Sequence, residues 1–408
     1  MEITAREHGL VRIVRPLRRL PQPQIRLDSR RKTRLEVGCR PGGRKIRKNV
    51  TLTRELVLHL GDHKTGSTAI QKALADQAWR CLSGPEAPTG VTVLYTATGN
   101  HNQLAQSLLD SESPHQRRNR FTNHARLIAA SEADIAVLSA EEFERVSPEV
   151  LNEALHSYFP DLADNARLIA YVRPHADRLL SSYAERVKQG YFLGSLTEFH
   201  SKIKDSRLLH YAPRFRKWRA VFGERFELRP MIRAALHNNC VVQDFLHFLL
   251  KGAAFALTRP AEYNPSLSLE DLAMLRALQL RLGQGKIPPH QAQNAIGWKF
   301  AILLAEAGAA GGTRLRPDRA LVAEMQADCR KDATTLDAEF FAGQPMAQAL
   351  DRAMEGAVDL PQSLALESCF QAGELHRIKG WIELLYRMYL RQPEDWPRHL
   401  RRLGNPSE

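Results

Sequence analysis

The sequence predicts a three-layer α/β protein in which helices cover both faces of a parallel sheet, followed by a C-terminal helical extension. Two observations predict this fold class. From residue 54 to about residue 260, short apolar runs alternate with segments of helical periodicity, a pattern typical of parallel sheets whose crossovers are helices. Beyond about residue 260, amphipathic helical patterns continue without clear strands.

Charge separates a basic N-terminal arm from the rest of the chain. Residues 1–50 hold 15 Lys and Arg against 4 Asp and Glu, so most of the net charge of +13 lies there. Few large apolar residues and no sustained period predict that this arm is disordered. We expect three parts: a disordered basic segment at 1–50, an α/β domain at 51–260 and the helical extension at 261–408.

Three explanations of the arm stay open: a tail attracted to polyanions or membranes, a targeting segment, or translation from a start that lies too far upstream. The arm lacks the continuous apolar core of a secretory signal, and no run of about 18 apolar residues predicts a transmembrane helix. The five cysteines are scattered and form no C-x-x-C pair, which favours a reducing compartment. We expect a cytoplasmic protein and leave peripheral membrane contact open.

Five apolar runs predict the strands of the sheet. They are residues 55–60, 91–95, 134–139, 166–173 and 225–231.

Helical periodicity fills the intervals between these strands. It is clearest at residues 68–82, 147–159 and 174–190, and the Arg-rich segment at 117–126 predicts a loop and a helix. Gly190 is expected to end the third of these helices.

A glycine-bounded turn follows the first predicted strand. Gly61 and Gly66 have the spacing of the P-loop pattern G-x-x-x-x-G-K-[ST], but Ser67 stands where that pattern has its lysine, and Lys64 lies before Gly66. The glycines permit turns that aim backbone N–H groups at a phosphate, and a helix that opens at Ser67 or Thr68 adds the positive end of its dipole. Since ligands bind at the carboxyl ends of parallel strands, the sequence predicts a phosphate site here, in a sheet of P-loop nucleotide-binding type.

The run Lys64-Thr65-Gly66-Ser67-Thr68 resembles the 5′-phosphosulfate-binding loop of the sulfotransferases, whose pattern is commonly K-[TS]-G-[TS]-[TS]. In that family the lysine precedes the glycine by two residues, as Lys64 does here. The residues that follow, Ala69-Ile70-Gln71, are similar to those of a bacterial, carbohydrate-type branch. The resemblance implies that these five loop residues bind 3′-phosphoadenosine 5′-phosphosulfate as the sulfate donor.

A second motif resembles the part of the family that holds the 3′-phosphate of the donor. There an Arg at a strand end precedes a Ser by eight residues, and Arg173 and Ser181 match that spacing. Arg makes bidentate contacts with phosphates. Arg178 matches the R-x-x-S pattern of the carbohydrate sulfotransferases, with an ion pair on the helix surface as its alternative. Pro174 follows Arg173 directly, where many family members place Asp or Asn before a proline.

The resemblance also implies a catalytic base at the end of the third predicted strand. Ser139, Glu141 and Phe143 match the S-x-E-x-F pattern of this branch. Ser139 and Glu142 also have the spacing of a capping box. We therefore expect Glu142 to have a structural role and Glu141 to be the base.

Two histidines are alternatives for the base. His63 lies within the loop beside Lys64, and His101 lies in a polar stretch after the second predicted strand. We expect Lys64 to stabilise the leaving phosphate.

The resemblance covers roughly residues 55–275 and implies transfer of a sulfuryl group to a hydroxyl of a carbohydrate or glycolipid-like acceptor, with no metal required. The alternatives are a P-loop kinase or NTPase, a nucleic-acid-binding protein that uses the basic arm, and an inactive scaffold with the same fold. We expect no specific nucleic-acid partner, because the chain beyond the arm is nearly neutral.

Overall fold

The computed structural model describes residues 55–82, 91–109, 114–206, 208–260, 267–283, 291–307, 312–391 and 395–402. The prediction of a disordered arm at residues 1–50 lies outside the described residues. The described residues belong to one compact unit.

Five parallel strands form the central sheet, and two short strands pair in an antiparallel ribbon. The strands are β1 Glu55–His59, β2 Trp79–Cys81, β3 Val93–Tyr95, β4 Ile135–Ser139, β5 Arg167–Val172, β6 Phe226–Pro230 and β7 Phe255–Leu257. The order across the sheet is β3-β4-β1-β5-β6, and β2 pairs with β7. The five predicted strands are thus confirmed, with ends that differ by up to two residues.

Nine helices belong to the described part of the α/β region. They are α1 Ser67–Ala75, α2 Asn102–Gln106, α3 Pro114–Ala129, α4 Pro148–Tyr158, α5 Pro160–Ala163, α6 His175–Gln189, α7 Leu196–Ile203, α8 Ala212–Phe222 and α9 Val241–Leu249. As predicted, α6 is followed directly by Gly190.

Strand β1 lies at the centre of the sheet because its side chains are apolar on both faces. Leu56 and Leu58 join a core that includes α4 and α8, whereas Val57 joins a second core with α1 and α9. Successive side chains of a strand point to opposite faces, so the continuous apolar run buries both sides. The fold is α/β, with helices on both faces of a parallel sheet.

The predicted helix at 68–82 is wrong beyond Ala75. Gln77 adopts a positive φ of 47°, which no α-helix accommodates. The chain then extends, and Trp79 pairs with Leu257 in the β2–β7 ribbon. The partner strand lies far along the chain, so the local periodicity could not predict this pairing.

Seven helices lie in the described part of the chain beyond residue 260, where the sequence predicted helices without clear strands. They are α10 Leu269–Gly283, α11 Gln291–Ala307, α12 Arg319–Phe340, α13 Pro345–Glu355, α14 Leu366–Cys369, α15 Ala372–Arg391 and α16 Trp396–Arg402. Helices α10, α11 and α12 pack against α6. Helix α12 also places Cys329, Ala333 and Leu336 in the same core as Leu56 and Leu58. Among the described helices, none is both long and apolar enough to cross a membrane.

Candidate functional site

The candidate site lies where the carboxyl ends of β1, β4 and β5 meet. The glycine-bounded loop follows β1, a 3₁₀ turn at Glu141–Arg145 follows β4, and Arg173 follows β5. Backbone bonds join the loop to β5, since Asp62 N–H donates to Tyr171 O over 3.1 Å and Tyr171 N–H donates to Gly61 O over 2.8 Å. The three predicted segments therefore come together at one edge of the sheet.

The first glycine lets the loop pass directly over the segment after β4. A Cβ on Gly61 would lie 3.2 Å from the Cα of Glu141, and its φ is 89°. Both the contact and the backbone conformation favour glycine. This close approach places Glu141 beside the loop, as the sequence led us to expect.

Five successive backbone N–H groups of the loop, those of Lys64, Thr65, Gly66, Ser67 and Thr68, have no acceptor among the residues that the structure describes. Gly66 is the N-cap of α1, with a left-handed φ of 86°. The hydroxyls of Thr65 and Ser67 donate back to Asp62 O over 2.6 and 3.4 Å. Runs of free N–H groups at a helix start are the arrangement that binds anions in many proteins, so this loop is a candidate anion site.

Lys64 forms an ion pair that the sequence did not predict. Its Nζ donates to Glu185 Oε2 of α6 over 2.6 Å, and the Lys64 side chain is about one-third exposed. Glu185 and Arg178 are seven residues apart on α6, so they share one face of that helix. The same face contacts the loop at Lys64 and, through Arg178, at the carbonyl of His63.

Ser181 lies between Arg178 and Glu185 on this face of α6, because it is three residues from the first and four from the second. The structure therefore places Ser181 on the side of α6 that faces the loop. Sequence spacing alone could have shown that Glu185 belongs to this set.

Arg173 is a partly buried cation that is attracted to Asp177 but forms no ion pair with it. In the described part of the chain, no hydrogen bond or ion pair partners its guanidinium. Burial lowers the pKa of Arg173, Asp177 opposes that shift, and Arg178 lowers the pKa further. An anion that bound here would gain a charge-assisted contact without displacing a carboxylate.

Arg178 and Arg214 differ from Arg173 because both have buried carboxylate partners. Arg178 donates to Glu144 over 3.0 Å, and Arg214 of α8 makes two bonds of 2.6 Å to the carboxylate of Asp62. Asp62 raises the pKa of Arg214 against the opposing effect of burial. These pairs anchor the loop and the turn after β4. Neither Glu144 nor Arg214 belongs to a local sequence motif, since their partners lie far away in the chain.

His63 is surrounded by carboxylates. Its Nδ1 lies 2.7 Å from Glu144 Oε2, its Nε2 lies 3.5 Å from Glu142 Oε1, and its backbone N–H also donates to Glu144. Burial alone would lower the pKa of His63, but the bonds to Glu142 and Glu144 raise it to about 10. His63 is therefore an imidazolium at neutral pH and has no free lone pair with which to accept a proton.

His101 is buried and neutral. It accepts a bond from the backbone N–H of Ser139 at Nδ1 over 3.1 Å, and its Nε2 lies 2.9 Å from Thr96 Oγ1. Burial, reinforced by His124, lowers the pKa of His101 to about 3. Both ring nitrogens are engaged, which favours a structural role.

The predicted capping box of Ser139 and Glu142 is wrong. Ser139 is the last residue of β4, and its hydroxyl contacts His59 Nδ1 at 2.8 Å and Gln71 Nε2 at 3.1 Å. Glu142 instead contacts His63 and Arg145. The strand continues through Ser139, so no helix begins there for it to cap.

Glu141 remains as a partly buried carboxyl at the loop. Burial raises the pKa of Glu141, and the charges of His63 and Lys64 oppose that rise. Its backbone N–H donates to Asn102 Oδ1 over 3.0 Å, which fixes the turn. The side chain is thus positioned beside Lys64 with an increased proton affinity.

No protein-family model matches this chain, and no curated protein matches its sequence. Within the described ranges, no group of three or more His, Cys, Asp or Glu side chains is placed to hold a metal ion.

Proposed function

We propose that this protein is a sulfotransferase that transfers the sulfuryl group from 3′-phosphoadenosine 5′-phosphosulfate to a hydroxyl of a carbohydrate or glycolipid-like acceptor. We also propose that the central sheet is of the P-loop nucleotide-binding type. Strands β4 and β5 lie on opposite sides of β1, so the end of β1 is a point at which the chain changes direction across the sheet. Ligands of open α/β sheets bind at such points.

The observation that carries the proposal is the run of five unbonded N–H groups from Lys64 to Thr68. This run fits the 5′-phosphosulfate. Arg173, without an ion-pair partner among the described residues, fits the 3′-phosphate at the end of the neighbouring strand. A donor with two separate anionic groups fits two candidate anion sites that lie at the ends of the neighbouring strands β1 and β5.

The residues of the site fit the steps of sulfuryl transfer. The acceptor oxygen attacks sulfur in line, a new S–O bond forms, and the S–O bond to the 5′-phosphate breaks. The acceptor proton passes to the Glu141 carboxylate, and the products are a sulfate ester and adenosine 3′,5′-bisphosphate. Lys64 and the loop N–H groups stabilise the charge that develops on the leaving phosphate.

The base is assigned to Glu141 because its rivals have the wrong protonation behaviour. The raised pKa of Glu141 suits proton abstraction near neutral pH. His63 is already protonated at that pH, since its pKa is about 10, and His101 is engaged at both nitrogens. His63 would instead contribute positive charge close to the transferred group.

A P-loop kinase or NTPase is the second candidate, because the two loop glycines have the spacing of that motif. Such enzymes need a lysine on the β- and γ-phosphates. Ser67 occupies that position here, and its buried hydroxyl contacts Asp62 O. This substitution favours a single phosphosulfate over a triphosphate.

Calorimetry with three nucleotides distinguishes the sulfotransferase from the P-loop kinase or NTPase. Adenosine 3′,5′-bisphosphate is expected to bind, ATP with Mg²⁺ to bind at least about tenfold more weakly, and adenosine 5′-monophosphate to report what the 3′-phosphate adds. ATP hydrolysis that depends on Mg²⁺ and Lys64, with no binding of the bisphosphate, would refute the sulfotransferase proposal.

Lys64→Ala tests whether the loop takes part in the reaction. With 3′-phosphoadenosine 5′-phosphosulfate as donor, we expect kcat to fall by about 10²–10³-fold, the typical loss when one group that stabilises transition-state charge is removed. Unchanged turnover would show that Lys64 lies outside the reaction.

A further inference from the structure

We propose that the exposed face of α11 formed by Trp298, Ile302 and Leu303 binds an apolar portion of the acceptor, which makes the substrate an amphiphilic alcohol such as an alkyl or acyl glycoside. This inference rests on the proposed sulfotransferase function. Trp298 is 39% exposed, Ile302 43% and Leu303 46%. We call these three residues the α11 face.

A series of short contacts joins the α11 face to the candidate site. Lys64 Nζ lies 2.6 Å from Glu185 Oε2, and the same oxygen lies 3.0 Å from Lys188 Nζ. Lys188 Nζ in turn lies 4.4 Å from the centre of the Trp298 ring. The indole is therefore the last side chain in a series that starts at Lys64, the cation that we assign to the leaving phosphate, and passes through Glu185 and Lys188.

The position of Trp298 is determined by a close helix crossing. A Cβ on the preceding residue, Gly297, would collide with the carbonyl oxygen of Lys188 and with Gln279 Nε2. Gln279 also donates to that carbonyl over 2.7 Å. Since only glycine allows this approach of α11 to the end of α6, the indole is held over Lys188 by packed backbone.

The α11 face suits an apolar ligand better than a free sugar. Trp298 and Ile302 are four residues apart and share one side of the helix, and the exposed Leu303 lies roughly 100° further around it. Isolated exposed apolar residues are ordinary, whereas a contiguous exposed apolar patch is typical of a binding surface. Sugar hydroxyls placed on Ile302 or Leu303 would lose water without gaining a hydrogen-bond partner, which is unfavourable.

The test compares matched acceptors with the full chain and 3′-phosphoadenosine 5′-phosphosulfate as donor. The acceptors are methyl and octyl glycosides of the same sugars, β-D-galactose and β-D-glucose. We expect a KM at least about tenfold lower for the octyl glycosides, because each buried methylene contributes about 0.8 kcal/mol. Equal KM values for methyl and octyl glycosides would overturn the proposal.

Trp298→Ala is expected to remove most of this octyl preference and to leave the affinity for adenosine 3′,5′-bisphosphate unchanged. Ile302→Ser gives the same test without altering the indole contact with Lys188. Trp381→Ala is the matched control, because Trp381 is 66% exposed on α15 and is not part of the α11 face. It should keep the preference.

The remaining outcomes separate the two proposals. If adenosine bisphosphate binds but no octyl glycoside is sulfated, or if Trp298→Ala and Ile302→Ser keep the octyl preference, the acceptor proposal is overturned alone. If Trp298→Ala turns a dimer into a monomer in sedimentation and leaves the preference unchanged, the α11 face is instead an interface between copies. If no adenosine bisphosphate binds, the sulfotransferase proposal fails and the acceptor proposal fails with it.

Discussion

Arg173 differs from the nearby Arg178 and Arg214 in its ion pairing. Arg178 and Arg214 are paired with Glu144 and Asp62, whereas Arg173 has no carboxylate partner in the described part of the chain. A buried cation without an ion-pair partner is unfavourable unless a ligand compensates it. We infer that Arg173 is kept for an anion, and that the paired arginines hold the site together.

Arg173→Ala should weaken binding of adenosine 3′,5′-bisphosphate by about 100-fold, because charge-assisted hydrogen bonds contribute about 1.5–3 kcal/mol each. Calorimetry measures the effect. Arg186→Ala is the control, since Arg186 is an exposed arginine in the last turn of α6 that stacks on Tyr191 and is not assigned to the donor. Unchanged affinity in Arg173→Ala would place the 3′-phosphate elsewhere.

Glu141→Gln should lower kcat by about 10²–10³-fold while sparing the affinity for adenosine 3′,5′-bisphosphate. A base must be deprotonated, so kcat of the parent protein should rise with pH through the pKa of Glu141, at a pH above the usual range for a glutamate. The pH–rate profile of the variant should lack this rise of kcat with pH. If the variant keeps full activity, a different group accepts the proton.

At the scale of single elements, α6 organises the site. Its first turn follows Arg173, and one of its faces presents Arg178, Ser181 and Glu185 to the loop. The start of α6 is in turn bound to the extension, because His175 Nε2 lies 3.0 Å from Asp332 Oδ2 of α12. The extension therefore supports the part of the sheet region in which the candidate anion sites lie.

Asp332 joins three helices. Besides His175, its carboxylate accepts the backbone N–H groups of Tyr211 and Ala212 at the start of α8, over 3.0 and 2.9 Å. Asp332→Ala would leave these buried donors without a partner, and we expect a loss of about 3 kcal/mol in the free energy of unfolding.

Urea unfolding monitored by circular dichroism measures this loss. Asp351→Ala is the control, because Asp351 pairs with Arg330 at an exposed position and such pairs contribute about 0–1 kcal/mol. Equal stability of the two variants would show that the contacts of Asp332 with α6 and α8 do not stabilise the fold.

At the scale of the whole molecule, the described residues from 55 onward form one compact unit, to which the extension contributes core residues. The basic arm, residues 1–50, holds most of the net charge but none of the residues of the candidate site. The site and the arm therefore belong to different parts of the chain.

Deletion of residues 1–50 should leave the affinity for adenosine 3′,5′-bisphosphate within about twofold, since no residue assigned to the donor lies there. If the arm binds polyanions, binding to a DNA duplex, measured by fluorescence anisotropy, should weaken steeply with salt in the full chain and be lost on deletion. Loss of nucleotide binding on deletion would contradict this separation.

The sequence predicted the sheet because its signals are local. The run Leu56, Val57, Leu58 is apolar on both faces, and a strand with that property lies inside a parallel sheet. Gly61 and Gly66 likewise indicated a turn after β1. Where a long-range partner decides the outcome, as for Trp79 and Leu257, the helical pattern of 68–82 misled the prediction.

By itself, the sequence determined the α/β region, the helical extension and the candidate residues from Lys64 to Thr68, with Arg173, Ser181 and Glu141. Only the tertiary structure decided what state these residues are in. The protonation of His63 depends on Glu142 and Glu144, and the partner of Lys64 is Glu185 of α6. Charge and hydrogen bonding act through space over a few ångströms, so residues far apart in the chain set the chemistry of the loop.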